Sequence, residues 1–277
     1  MHTPYFPTLR SRLAALGRRT AQALRRISLP QLEQCLLSYL PLDLLSAEDQ
    51  GPNSRERIYS LRLTFQGFVW QMLKPQTACR EVVRQVQALF RLKGLGRVKA
   101  GASAYCQARS RLPRERLERA VACLAEHADR RVGPGGSLGK RPVKVVDGTT
   151  VQLADTPENQ ERFPQLPHQK PGCGFPLLKL LALFSLSSGA ILKVIMESYH
   201  HHDLRLFRQL WEDLKAGDVV LGDRLFGDYG SLADLPRRGI DVVARLNAKR
   251  KIDFRKAKRL GRHDGLFVWT KPKVCPP

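Results

Sequence analysis

Apolar positions recur at three- and four-residue spacing over the first half of the chain, then gather into short runs over the second. From Ser54 onward, Ile58, Leu61, Phe65, Phe68, Val69 and Met72 share one face of a predicted helix. A second opens at Thr77 and carries Val82, Val83, Val86, Leu89 and Phe90. The segment SAYCQARSRL starts a third at Ser103 and stops before Pro113, and a fourth runs through Leu117, Val121 and Leu124. VGPGGSLGK, Val132 to Lys140, breaks the pattern and reads as a linker.

Beyond it the texture changes. KVVDGTTVQL reads as a strand, and LLKLLALFSLSSGAILKVIMESYH as two strands turning at Ser188-Gly189. DLRLFRQLWEDL is a helix capped by Asp203, with Leu204, Phe207, Leu210, Trp211 and Leu214 on one face. DVVLGD is a strand, SLADLPRRG a short helix with Asp228 as its cap, and IDVVARLN another strand. Three strands, a helix, a strand, a helix and a strand predict an α/β layer with a mixed sheet. The chain thus divides into a helical part (1–132), a linker (133–140), an α/β part (141–247) and a basic, β-like segment (248–277).

Charge narrows the partner. The 277 residues hold 47 Lys and Arg against 25 Asp and Glu, a net +22, which favours a polyanion, nucleic acid ahead of a membrane surface. The first acid is Glu33, so the N-terminus suits a DNA-facing helix, a loose arm or an organellar presequence. Lys179, Ser187, Ser188, Gly189 and Lys193 interrupt the most apolar region, which cannot span a bilayer as one helix. Six scattered cysteines without a CxxC pair indicate reduced thiols and no zinc module.

Two aspartates carry the candidate chemistry. Asp147 follows VKVV and precedes Gly148; Asp223 follows VVL and Gly222. If their strands are neighbours, the carboxylates converge and repel, a repulsion that magnesium answers. Two such ions can activate a hydroxyl and stabilise the leaving oxygen in phosphodiester chemistry. The alternative is that each aspartate simply caps a turn. VVDGTT and GDRLFGD also imitate haloacid-dehalogenase phosphatase loops, but Val145 stands where that nucleophile belongs. His200 to His202 lack matched ligand spacing and read as a solvated loop. Asp155, Glu158 and Glu161 fall in a Pro- and Gln-rich loop. Arg109 and Arg111, after the Gly-rich KGLGRVKAGAS, suit a helix-turn-helix facing DNA, or a bundle surface. Lys249, Arg250 and Lys251 open a basic run that suits phosphate contacts or plain solvation.

The stretch from VVDGTT through DTPENQERFPQLPHQKPGCGFP, with LGDRLFGDY after it, resembles the DDE transposases of the IS-four group of bacterial insertion sequences. SAYCQARSRLP is similar to that group's N-terminal signature, and RKIDFRKAKRLGRHDGLFVWTKP to its insertion after the sheet. The resemblance implies an RNase H-like catalytic core, here a partial one over 141–247, holding Mg2+ or Mn2+ on two aspartates and a glutamate. The aspartates fall on Asp147 and Asp223. It also implies double-stranded DNA partners (transposon ends and target), a homodimer on DNA, and a bacterial cytoplasmic, nucleoid-associated setting without a membrane. The third acid does not carry over: Tyr59 and Arg62 match the Tyr-Arg-Glu spacing, but the frame ends in Gln66. The expectation is a C-terminally truncated transposase, inactive or nearly so by itself. A DNA-binding remnant without catalysis is the alternative.

Overall fold

The computed structural model describes residues 19–46, 57–132, 138–247 and 253–271, apart from 21, 75, 171 and 263. Most of the Arg-rich N-terminal segment, Lys249, Arg250, Lys251 and Cys275 lie outside the described residues. The chain forms two compact units, Met1–Cys123 and Leu124–Pro277.

The first unit is helical: α1 (Leu29–Leu37), α2 (Leu61–Met72), α3 (Cys79–Leu92), α4 (Ser103–Ser110) and the start of α5 (Arg114–Val132). Ser28 and Gln31 close a capping box on α1. Ser60 Oγ accepts from the Leu63 amide at 3.3 Å, so α2 begins at Leu61; residues 57–60 are not helical, and Ile58 precedes the helix instead of lying on it. α2 packs against α1, α3 and α4. Its buried stripe runs through Phe65, Gln66, Gly67, Trp70 and Gln71, while Met72 is exposed, so the helix is turned from the face its apolar spacing selects. Gly67 explains the turn. A Cβ there would stand 2.8 Å from Val82 Cγ1, so glycine lets α3 close onto α2. Two of the polar members are satisfied locally: Gln71 donates to Thr77 O at 2.8 Å and accepts from Tyr105 Oη at 3.1 Å, and Trp70 Nε1 donates to Ile27 O at 2.9 Å.

The second unit is built on a five-stranded sheet: β1 (Val143–Gln152), β2 (Leu177–Ser185), β3 (Ile191–Ser198), β4 (Val219–Gly222) and β5 (Asp241–Ala244). Strand order is β3-β2-β1-β4-β5, with β1, β2 and β3 an antiparallel meander and β4 and β5 parallel to β1. This is the mixed α/β sheet that the order of elements predicts. One face carries Val146, Leu181, Leu183 and Val220, all buried against α7 (Asp203–Gln209), the following 3-10 turn Leu210–Asp213 and α8 (Tyr229–Arg237). Leu204, Phe207, Leu210, Trp211 and Leu214 all enter this core, as their spacing predicts. The other face keeps Phe184 and Leu221 half-buried and Met196 and Val243 exposed.

Three local features differ from expectation. The α7 cap is His202, whose Nδ1 accepts from the Leu204 amide at 3.2 Å; Asp203 is the first helical residue and pairs with Lys179 at 3.1 Å. The Pro- and Gln-rich loop contains a short helix, α6 (Pro157–Arg162), capped by Thr156. Val121 and Leu124 are exposed on α5, whose buried positions include Ala120 and Ala125. Strands β6 (Lys258–Gly261) and β7 (Asp264–Leu266) form a separate two-stranded sheet. Cys35, Cys79, Cys106, Cys123 and Cys173 are free thiols. Among the described residues, no helix is long and apolar enough to cross a membrane.

Candidate active site

Asp147 lies on β1 and Asp223 follows β4, two strands that are neighbours in the sheet. β1 and β4 pair in parallel as Val143 with Val219, Lys144 with Val220 and Val145 with Leu221. Asp147 and Asp223 each stand two residues beyond the last pair. Side chains alternate along a strand, so Asp147 points to the face opposite Val146, away from the helix-covered core. Both aspartates are exposed. Neighbouring strands run about 4.8 Å apart, close enough for two carboxylates at one level to share a cation. Asp147 lies within β1, which continues to Gln152 and pairs Asp147 with Ala182 of β2; Asp223 directly follows β4.

The chain after β4 fixes the second carboxylate. Asp223 Oδ1 accepts from the Leu225 amide at 2.8 Å, closing an Asx turn. The turn folds Phe226 back into the core, where it is 3% exposed and meets Phe207 edge-on at 5.0 Å. A Cβ on Gly222 would come within 3.0 Å of the Phe226 ring, so the glycine before the aspartate makes room for that return. Phe226 is the positioning residue that sequence reasoning passed over; glycine just ahead of an acid and aromatic just after it was the available signal. Asp147 Oδ1 accepts from the Gly148 amide at 2.9 Å. One oxygen of each aspartate therefore engages local backbone. Turn-capping and cation-binding are compatible roles for Asp223.

Two exposed, hard oxygen donors suit a Mg2+ or Mn2+ ion that retains waters. Among the described residues, no group of three or more His, Cys, Asp or Glu is placed to hold a metal. His202 is spent on the α7 cap, and His201 lies 3.3 Å from Glu197. Arg109 is half-buried and donates to Gln71 Oε1 at 3.2 Å, whereas Arg111 is exposed at the end of α4.

Residues 138–273 match the family described as "Transposase DDE domain". No curated protein matches the chain. Among solved structures, the piggyBac transposase synaptic complex with hairpin DNA aligns at 10% identity and a TM-score of 0.38, over 79% of this chain and 47% of that one. The Mos1 transposase paired-end complex with left transposon end aligns at 12% identity and a TM-score of 0.25, over 71% of this chain and 62% of that one. The chain thus spans about half the length of the first and 62% of the second. Both Asp147 and Asp223 fall inside the residues that match the transposase DDE domain family.

Proposed function

We propose that the chain acts in DNA transposition, as a relative of the IS-four transposases, with Asp147 and Asp223 as the carboxylates that hold a divalent metal. The observation that supports the reading is the parallel β1–β4 register, whose last pair, Val145 with Leu221, lies two residues before both aspartates. Mg2+ or Mn2+ bound there would supply charge stabilisation for phosphodiester cleavage and joining. The chain's own part is to fix two oxygens at one level, by the β1–β4 register and the Phe226 turn, and to bring DNA to them with its +22 charge. Transposon ends and target DNA are the substrates, with a second copy of the chain as partner on DNA. Within residues 1–277 the Tyr59–Arg62 frame ends in Gln66 and provides no third acid. Two carboxylates bind metal weakly, so this chain by itself cleaves slowly or not at all. The phosphatase reading lacks a nucleophile, because Val145 occupies that place.

The test uses duplex DNA bearing the element's terminal inverted repeats, with Mg2+ or Mn2+. Binding at low salt is expected, as is Mn2+ binding that disappears in Asp147→Asn and Asp223→Asn. Failure to bind either DNA or Mn2+ ends the proposal. Efficient nicking abolished by Asp147→Ala would overturn the inactivity and leave the transposase reading intact.

A further inference from the structure

Two residues of α2 draw a cysteine of α3 and a cysteine of α4 to the same place. Gly67 and Gln71 stand four residues apart, on one face of α2. A Cβ on Gly67 would come within 2.8 Å of Val82 on α3 and 3.3 Å of Tyr105 on α4, so both helices close onto α2 there. One turn further along, Gln71 Nε2 donates to Cys79 Sγ at 3.7 Å. Its Oε1 accepts from Tyr105 Oη at 3.1 Å and from Arg109 Nη1 at 3.2 Å. Cys79 opens α3, Cys106 follows Tyr105 on α4, and the two thiols share a side-chain hydrogen bond.

The surroundings give the two sulfurs different tasks. The bond to Cys79, with burial second, holds the Cys106 thiol above its ordinary value, so Cys106 is the donor and the Cys79 sulfur the acceptor. Ala78 offers no side-chain cap to α3, and its first-turn amides favour negative charge on the Cys79 sulfur. Both residues are free thiols and only half-buried, so a small reagent reaches them. Between α3 and α4 the chain, 93–102, is largely exposed and without helix or strand. Sulfurs already in hydrogen-bond contact can join with little backbone movement.

We propose that Cys79 and Cys106 form a thiol–disulfide redox site, at which a small disulfide oxidises the pair and staples α3 to α4. The Cys79 thiolate attacks one sulfur of the small disulfide, expelling a thiolate and leaving a mixed disulfide. Cys106 then no longer donates to Cys79, and the Arg109 guanidinium one turn on favours its thiolate. It loses its proton to water and attacks the Cys79 sulfur, which expels the second thiolate. The two cysteines give up two protons and two electrons, and the small disulfide leaves as two thiols. The new bond closes a loop around α3 and the exposed connection, which restricts the unfolded chain.

The test treats the full chain with oxidised glutathione under native conditions, alkylates the remaining thiols and maps the peptides by mass spectrometry. The expected product is a Cys79–Cys106 disulfide, with both residues lost to alkylation and neither carrying glutathione. Dithiothreitol should restore both. In Cys106→Ser glutathione should stay on Cys79, because nothing displaces it. The wild-type map stands by itself should that variant misfold. Wild-type Cys79 and Cys106 both still open to alkylation, glutathione retained on Cys79, or Cys79 joined to another cysteine would each overturn the proposal.

Discussion

Arg141 and Asp241 form an ion pair that reaches from just ahead of β1 to the start of β5, across the intervening β4. The same guanidinium donates through Nε to Gly217 O at 2.8 Å and through Nη2 to Asp218 O at 3.1 Å. The beginnings of three parallel strands are thereby pinned to one level, and residues further along inherit it, Asp147 and Asp223 included. Arg141→Met should destabilise the chain by about 1–2 kcal/mol, since the pair is partly exposed and the carbonyls lose a charged donor. A urea midpoint measures this. Mn2+ affinity should fall as well, although Arg141 lies at the far end of the strands from the aspartates; unchanged affinity would limit Arg141 to a stability role.

Removing one aspartate should have opposite consequences with and without metal. Both carboxylates are exposed, so in EDTA Asp223→Asn should be neutral or slightly stabilising, within about 0.5 kcal/mol. With Mn2+ at a hundredfold excess over Kd, wild type should gain about 2.7 kcal/mol by linkage, and either Asn variant should lose most of that gain. Thermal midpoints with and without Mn2+ settle the matter. A wild-type midpoint indifferent to Mn2+ would count against a shared cation site.

The sheet was legible because the signals are local. VKVV and VVLG are both valine-rich runs ending at an aspartate, and they pair in parallel from Val143 with Val219 to Val145 with Leu221. α2 was read with the wrong face because its inward surface is made by Gly67, Gln66 and Gln71, residues that periodicity counts as outward. α6 escaped notice because none of its residues is buried, which leaves no periodic stripe to read. Thr156 followed by Pro157 was the usable mark, a capping residue ahead of proline at the first helical position. The first unit also holds a cleft that was invisible in principle. Its walls come from α2, α3 and the loop before α4, and no local pattern encodes their meeting.

Arg109 and Arg111 were paired by sequence as DNA contacts, yet their surroundings assign them different consequences. Arg109 donates to Gln71 Oε1 beside the Tyr105 hydroxyl, inside a network that also ties Thr77. Arg109→Ala should therefore lower stability by about 1 kcal/mol. Arg111 is exposed, so Arg111→Ala should change stability by less than about 0.5 kcal/mol. If Arg111 meets a phosphate, the same change should weaken binding to all duplex sequences alike and reduce the slope of log K against log salt by about one. Denaturation curves and a salt titration of anisotropy measure both effects. A sequence-selective loss from Arg111→Ala would indicate base contact instead.

Acid should weaken the second unit through Asp129 near the end of α5. Burial alone would push its carboxyl up, but the hydroxyls of Ser185 and Ser188 and the ammonium of Lys144 outweigh that and hold it below the usual carboxylate value. Ser188 Oγ donates to Oδ1 at 2.5 Å, and Lys144 Nζ lies 3.6 Å from Oδ2. A carboxyl whose folded pKa is depressed binds its proton more readily in the unfolded chain. Its stabilisation is therefore complete above the unfolded value, about 3.9, and drains away as pH falls through the folded one. Asp129→Asn keeps an acceptor for Ser188 but loses the charge facing Lys144. It should cost about 1 kcal/mol at pH 7, the worth of charge-assisted bonds at a partly solvated site. That difference should shrink as pH drops below about 4. Urea midpoints of both proteins from neutral pH to pH 3 check the sign, and a gap that widens toward acid would refute it.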